Sequence, residues 1–206
     1  MTGRRYDAVA FDLLTALIDS WTLWNEVAGS AEAGLTWRRR YLALTYQAGA
    51  YVPYEGLVAR AATETGVPAE AAHALARRFD ELPPWPETHA VVAELARRVP
   101  LGIVTNCSQR LGAIAAARAG GPFAAVVTAE AVGCYKPRPE TYRAMLAALD
   151  VDPARVLFVA GSAADVPGAR TAGMTVYWHN RIGLKPLDDT APDFTEASLH
   201  RLLDLV

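Results

Sequence analysis

Ala8-Val9-Ala10-Phe11-Asp12 is a short run of apolar residues that ends on an acid. A run this brief, with no polar residue on either face, reads as a strand buried inside a parallel sheet. From residue 20 to residue 79 no clear strand signal follows. Helical periodicity covers residues 24–50, 54–65 and 69–79, punctuated by Gly66-Val67-Pro68. Leu82-Pro83-Pro84-Trp85-Pro86 then reads as a stiff returning linker, because its prolines disfavour helix. Beyond it the pattern alternates. Helix 88–98 precedes strand 101–105, and helix 108–118 opens on Ser108 as N-cap. Strand 124–128, helix 139–149 with proline in its first turn, and strand 156–159 come next. Helix 163–172, strand 174–178 and a final helix over 197–205 complete the series. Such alternation predicts an α/β fold, a doubly wound parallel sheet covered on both faces. The helical stretch after the first strand is too long for a crossover. It is expected to form an inserted helical cap over residues 17–86, leaving residues 1–16 and 87–206 as the core.

Composition sets the outer bounds. With 206 residues, 52% hydrophobic and 20% charged, the chain fits one domain carrying an insertion and fills a real core. Acidic and basic residues number 22 and 20, a net charge of -2 that gives no footprint for nucleic acid or an anionic membrane. No run approaches the roughly 18–20 apolar residues of a membrane span. Met-Thr-Gly-Arg-Arg-Tyr-Asp leads into the first strand without a signal-peptide pattern. Cys107 and Cys134 make neither a disulfide framework nor a four-cysteine zinc site, so a soluble cytoplasmic setting is expected. Lys136 and Lys185 are the only lysines in a chain that otherwise uses arginine, which makes each worth asking about.

In open α/β sheets ligands bind at the carboxyl ends of the strands. Four such places carry polar groups: Asp12, Thr105 with Asn106, the Lys136 loop, and Ser162 with Asp165. An acid closing an apolar strand is costly unless it is solvated, paired or used. Any one of these is ordinarily a cap or turn residue. All four in this order point to a site.

Phe11-Asp12-Leu13-Leu14-Thr15-Ala16-Leu17, Val104-Thr105-Asn106, Tyr135-Lys136-Pro137-Arg138-Pro139 and Gly161-Ser162-Ala163-Ala164-Asp165-Val166-Pro167-Gly168-Ala169-Arg170 resemble, as a set, the four motifs of the haloacid dehalogenase-like hydrolase superfamily. The resemblance covers nearly the whole chain. It implies a Rossmann-like core with a helical cap, and Asp12 as a nucleophile forming a covalent ester or acyl-phosphate. Lys136 would keep that carboxylate ionised and oriented. Thr105 and the backbone amides of Leu13 and Leu14 would bind oxygens of the substrate or intermediate. Asp165 would fix Lys136 or bind a metal.

Most members of the superfamily are phosphatases, which carry a second aspartate two residues after the nucleophile to protonate the leaving alkoxide. Here that position is Leu14, which has no proton to give, whereas a halide leaves without one. Asp165 has no second acid beside it, and a hard cation wants several oxygen ligands, so no metal and no other cofactor is expected. Thr36-Trp37-Arg38-Arg39-Arg40-Tyr41 resembles the cap helix of L-2-haloacid dehalogenases, with Arg38 at the position that approaches the departing halide. Its bland alternative is a solvated helix face. Asn106 would be a second donor to the halide, and Tyr142, six residues after Lys136, would sit near the site, although a packed helix tyrosine explains it equally well.

The pattern also departs from that family. Leu14, Thr15 and Ala16 replace tyrosine, glycine and threonine, while Ala160 and Ser162 replace serine and asparagine. Thr15 is placed to compensate for the hydroxyl missing at Ala16. The expected activity is displacement of halide from a small 2-haloacid, with a homodimer suggested by resemblance alone. A magnesium-dependent phosphatase and a non-catalytic member, its site occluded by Leu13 and Leu14, stay as alternatives. Cys107 and Cys134 read as small buried residues. His73, His89, His179 and His200 show no metal-ligand spacing, and the five tryptophans read as packing.

Overall fold

The computed structural model describes residues 5–206. The chain runs β1 (Ala8–Phe11), α1 (Ser20–Ala28), α2 (Ala31–Gln47), α3 (Tyr54–Thr65) and α4 (Ala69–Arg77), then α5 (Thr88–Ala96) and β2 (Leu101–Thr105). It continues through α6 (Gln109–Ala119), β3 (Phe123–Thr128), α7 (Ala129–Val132), α8 (Pro139–Leu149) and β4 (Val156–Ala160). α9 (Asp165–Thr171), β5 (Thr175–His179), β6 (Phe194–Glu196) and α10 (Leu202–Leu205) close it.

The six strands form one sheet in the order β3-β2-β1-β4-β5-β6, every pair parallel. β1 therefore lies in the interior, and the chain turns back across it between β3 and β4. That reversal opens a crevice at the carboxyl ends of β1 and β4. Alternate side chains of each strand feed opposite layers, as a period of two requires. Val9, Phe11, Leu157 and Val159 pack with α5, α6 and the insertion helices. Ala8, Ala10, Val156 and Phe158 pack with α8 and α9.

The insertion differs from the sequence reading in one respect. Residues 24–50 are not one helix, because Gly29 takes a left-handed conformation (φ 85°) and Ser30 caps a new helix by accepting from the Ala33 amide. Glycine is the residue that reaches this conformation without strain. The helices pack through Trp24, Trp37, Tyr41, Tyr54 and Phe79, with ring centroids 4.5–6.4 Å apart. The outgoing and returning connections run side by side: Ile18 bridges Pro84, and the Asp19 amide donates to the Pro83 carbonyl at 2.8 Å.

Two further corrections fall near the C-terminus and the sheet edge. The last helix begins at Leu202 rather than 197, and the residues before it supply β6. α7 is a single turn between β3 and the Lys136 loop. α7 and β6, four and three residues long, show no apolar run or period that would mark them in the sequence. No helix among the described residues is long and apolar enough to cross a membrane.

Candidate active site

Asp12 follows β1 directly, and its amide extends the ladder by donating to the Val159 carbonyl at 2.9 Å. The loop behind it then curls so that its own donors face the carboxylate. Oδ2 accepts from the Thr15 amide (3.1 Å), the Thr15 hydroxyl (2.7 Å) and the Ala16 amide (3.3 Å). Oδ1 accepts from Lys136 Nζ at 2.7 Å, and the same ammonium lies 2.9 Å from Asp165 Oδ1. One buried cation thus links two buried carboxylates. The opposite side of the loop is fixed as well. Trp85 Nε1 donates to the Thr15 carbonyl (3.0 Å), His179 donates from Nδ1 to the Ala16 carbonyl (2.8 Å), and the Thr88 hydroxyl donates to the Leu17 carbonyl (2.7 Å).

Asn106 grips the Lys136 backbone at two points. Its Oδ1 accepts from the Lys136 amide at 2.7 Å, and its Nδ2 donates to the Lys136 carbonyl at 3.2 Å. This position makes Asn106 a scaffold for the lysine, and one N–H of its amide remains for another acceptor. Asp165 opens α9. Its Oδ2 accepts from the Ser162 hydroxyl (3.0 Å) and its Oδ1 from the Tyr142 hydroxyl (3.2 Å). Gly161 lets β4 approach the nucleophile loop: a Cβ there would lie 2.2 Å from Thr15 Oγ1 and 2.7 Å from Asp12 Oδ2.

Arg38 projects from α2 and is 7% exposed, so the solvated-face alternative fails for it, while Arg39 beside it is exposed. Its guanidinium donates to Ser20 Oγ at 2.7 Å and stacks 4.0 Å from the centre of the Trp21 ring. Ser20 in turn donates to the Leu14 carbonyl. The cation is therefore tied to the loop that carries Asp12, although α2 and β1 are far apart in sequence.

These groups open on a cavity of about 600 Å³ lined by Asp12, Leu14, Arg38, Thr105, Asn106, Lys136, Ser162 and Asp165, among others. Two expected contacts are placed elsewhere. The Leu13 side chain is fully buried in the core, leaving only its backbone toward the turn. Tyr142 is also fully buried, behind Asp165 rather than against the cavity. The open cavity likewise corrects the idea that Leu13 and Leu14 occlude the site. Ser20, Trp85 and His179 belong to the site's framework, yet nothing in their spacing singles them out.

The electrostatics follow from burial and pairing. Burial alone would raise the Asp12 carboxyl, but the Lys136 ammonium and the bonds from Lys136 and Thr15 outweigh it and hold it below its ordinary value. Asp165 goes the other way: burial, with the Asp12 charge added, exceeds what Lys136 returns. Burial would lower Lys136, but the two carboxylates raise it well above its ordinary value. Cys107 is pushed up to about 12 by burial, which leaves an inert thiol. A resident divalent cation does not fit this donor set. Lys136 already occupies one oxygen of each carboxylate, and no cluster of three or more metal-binding side chains occurs among the described residues.

The family model for haloacid dehalogenase-like hydrolases matches residues 6–173. The chain is 27% identical to haloacetate dehalogenase H-2 of Moraxella sp. (strain B), over 98% of this chain and 99% of that one. It is 33% identical to a phosphoserine phosphatase of Thermus thermophilus, over 87% and 76%. The solved structure of an L-2-haloacid dehalogenase superposes with a TM-score of 0.86 at 29% identity, covering 98% of both chains. A buried aspartate at the end of β1, a lysine returning to it from the loop after α7 and a family match over most of the sequence agree: the chain belongs to the haloacid dehalogenase-like hydrolases.

Proposed function

We propose that this hydrolase displaces halide from a 2-haloacid through an ester on Asp12. The observation that carries the reading is the pairing, in one cavity, of a lysine-held Asp12 with buried Arg38, while Leu14 stands where a proton donor would be needed for an alkoxide. The two relatives named dehalogenases support it.

The Asp12 carboxylate attacks C2 of the acid with inversion. The carbon–halogen electron pair leaves as halide, drawn by Arg38 and the remaining N–H of Asn106. Of the two oxygens, Oδ1 is the nucleophile, because Oδ2 sits against three donors that suit the ester carbonyl. Water then adds to that carbonyl carbon, and the charge that builds on Oδ2 meets the Thr15 amide, the Thr15 hydroxyl and the Ala16 amide. Asp165, made more basic by burial, takes the water's proton, with Ser162 and Lys136 orienting it. The bond from the carbonyl carbon to Oδ1 then breaks, and the proton held by Asp165 passes to the departing alkoxide. The 2-hydroxy acid leaves with Oδ1, while the new Asp12 carboxyl gives its remaining proton to solvent and is restored as a carboxylate. The insertion over residues 17–86 serves as the cap that brings Arg38 to the core.

Halide release from L- and D-2-bromopropionate and from bromoacetate, with EDTA present and Asp12→Asn as control, tests the proposal. Release by the wild type alone, with preference for the L enantiomer, is the expected result. No halide at high enzyme concentration overturns it. The Thermus phosphatase relative favours one second reading, a phosphatase, which phosphate release from a small phosphate ester would then support.

A further inference from the structure

Resting on the dehalogenase reading, we infer that the site takes a medium-chain 2-haloacid, its apolar tail seated against Trp21, Leu35, Leu42, Tyr46, Ile182 and Leu187. The reacting groups use only the floor of the cavity. A three-carbon acid placed on Asp12 leaves most of about 600 Å³ unfilled, a volume in the range that encloses drug-sized ligands. The walls above the floor are largely apolar and come from three elements, the first being α1 with Trp21. Leu35, Arg38, Leu42 and Tyr46 recur at three- and four-residue steps, so one face of α2 looks into the cavity. The loop after β5 supplies Ile182, Leu184 and Leu187.

The exposure of these residues points the same way. Tyr46 is 40% exposed, Ile182 45% and Leu187 57%. With Val52 and Val126 they are the exposed large apolar side chains among the described residues, and three of the five gather at this one mouth. Clustered exposed apolar surface marks a binding surface, where scattered residues would not. The cations suit an acid. Arg39 and Lys185, the second of the two lysines, line the cavity, and neither is in an ion pair with a described residue. A carboxylate is therefore drawn to the mouth while the tail loses contact with water.

The test compares kcat/KM for halide release across L-2-bromopropionate, L-2-bromohexanoate and L-2-bromooctanoate, alongside calorimetric binding of lactate and 2-hydroxyoctanoate. Each buried methylene is expected to raise kcat/KM about two- to fourfold, mainly through KM, and 2-hydroxyoctanoate should bind tighter than lactate. Leu187→Asp should flatten that gradient. A flat or falling series with bromopropionate still turned over overturns the inference and leaves the dehalogenase reading intact. Should no member release halide, that reading fails, and the two hydroxy acids decide the tail site alone: tighter binding of 2-hydroxyoctanoate supports it, and equal binding overturns it.

Discussion

Thr15 shows how a single side chain rebuilds what the neighbouring position lacks. Ala16 offers only its amide to Asp12, and Thr15 supplies both an amide and a hydroxyl to the same oxygen. A hydrogen bond to a charged group contributes about 1.5–3 kcal/mol. Thr15→Val keeps the shape and the amide but removes the hydroxyl. It should lower kcat about 10- to 100-fold with KM little changed, and Thr15→Ser should recover most of the loss. Full activity in the valine variant would show that the amides suffice. The same cluster sets the pH profile. Asp12 is held below its usual 3.8 and stays ionised through mild acid, whereas Asp165 is raised above that value. The acid limb of kcat/KM therefore belongs to the cluster as one macroscopic titration above pH 3.8, with Asp165 the group that takes the proton. Lys136 lies above its usual 10.5, so activity should not fall on the alkaline side until beyond that value. In Lys136→Met the ammonium that does most to offset burial of Asp12 is gone and the Thr15 bonds alone oppose it, so the acid limb should move upward.

At the scale of elements the site is a meeting of strand ends, and glycine sets how closely they meet. Overpacking a tight contact costs about 1–3 kcal/mol. In Gly161→Ala the added carbon would lie 2.2 Å from Thr15 Oγ1 and 2.4 Å from the Ala16 amide nitrogen, atoms that hold Asp12. The variant should lose stability by that amount and lose kcat with it. Gly56 in α3 is the contrast: it is exposed and nothing lies within 4 Å of its Cβ position, so Gly56→Ala should gain about 0.5–1 kcal/mol and leave kcat unchanged. Thermal melts and steady-state rates on both variants check the pair. The strand ends were readable because an apolar run closing on Asp12 or Thr105 is conspicuous in one dimension. The closeness of Gly161 to Thr15 was not, since nothing local records how near two loops come. Leu13 and Tyr142 show a related limit: their positions beside motif residues were plain, but the direction of each side chain is set by the layer it packs into. The Ser20–Arg38 contact joins α1 to α2 around the turn at Gly29, and periodicity names a face without naming its partner.

At the scale of the whole molecule, the insertion and the sheet share one core. Trp24, Trp37, Leu57 and Leu75 belong to the same buried cluster as Phe11, Val91, Leu157 and Tyr177. Polar ties reinforce the boundary all round. Tyr41 donates to the Asn106 carbonyl (3.1 Å), Ser108 to Glu55 (3.0 Å), Tyr135 to the Val52 carbonyl (2.6 Å), Arg138 to the Gly49 carbonyl (2.7 Å), and the Tyr51 amide to the Gly133 carbonyl (2.7 Å). Several of these end beside Asn106 or the Lys136 loop, so the geometry of the site depends on the insertion staying seated. An insertion joined only by a flexible hinge would melt by itself, whereas a shared core melts as one. Tryptophan fluorescence reports mainly on the insertion through Trp21, Trp24 and Trp37, and far-ultraviolet circular dichroism reports on the whole chain. In urea the two signals should trace the same curve with one midpoint. Fluorescence change that precedes loss of the dichroism signal would mean that the helices leave the sheet first, and that the contacts around Asn106 do not couple the two halves.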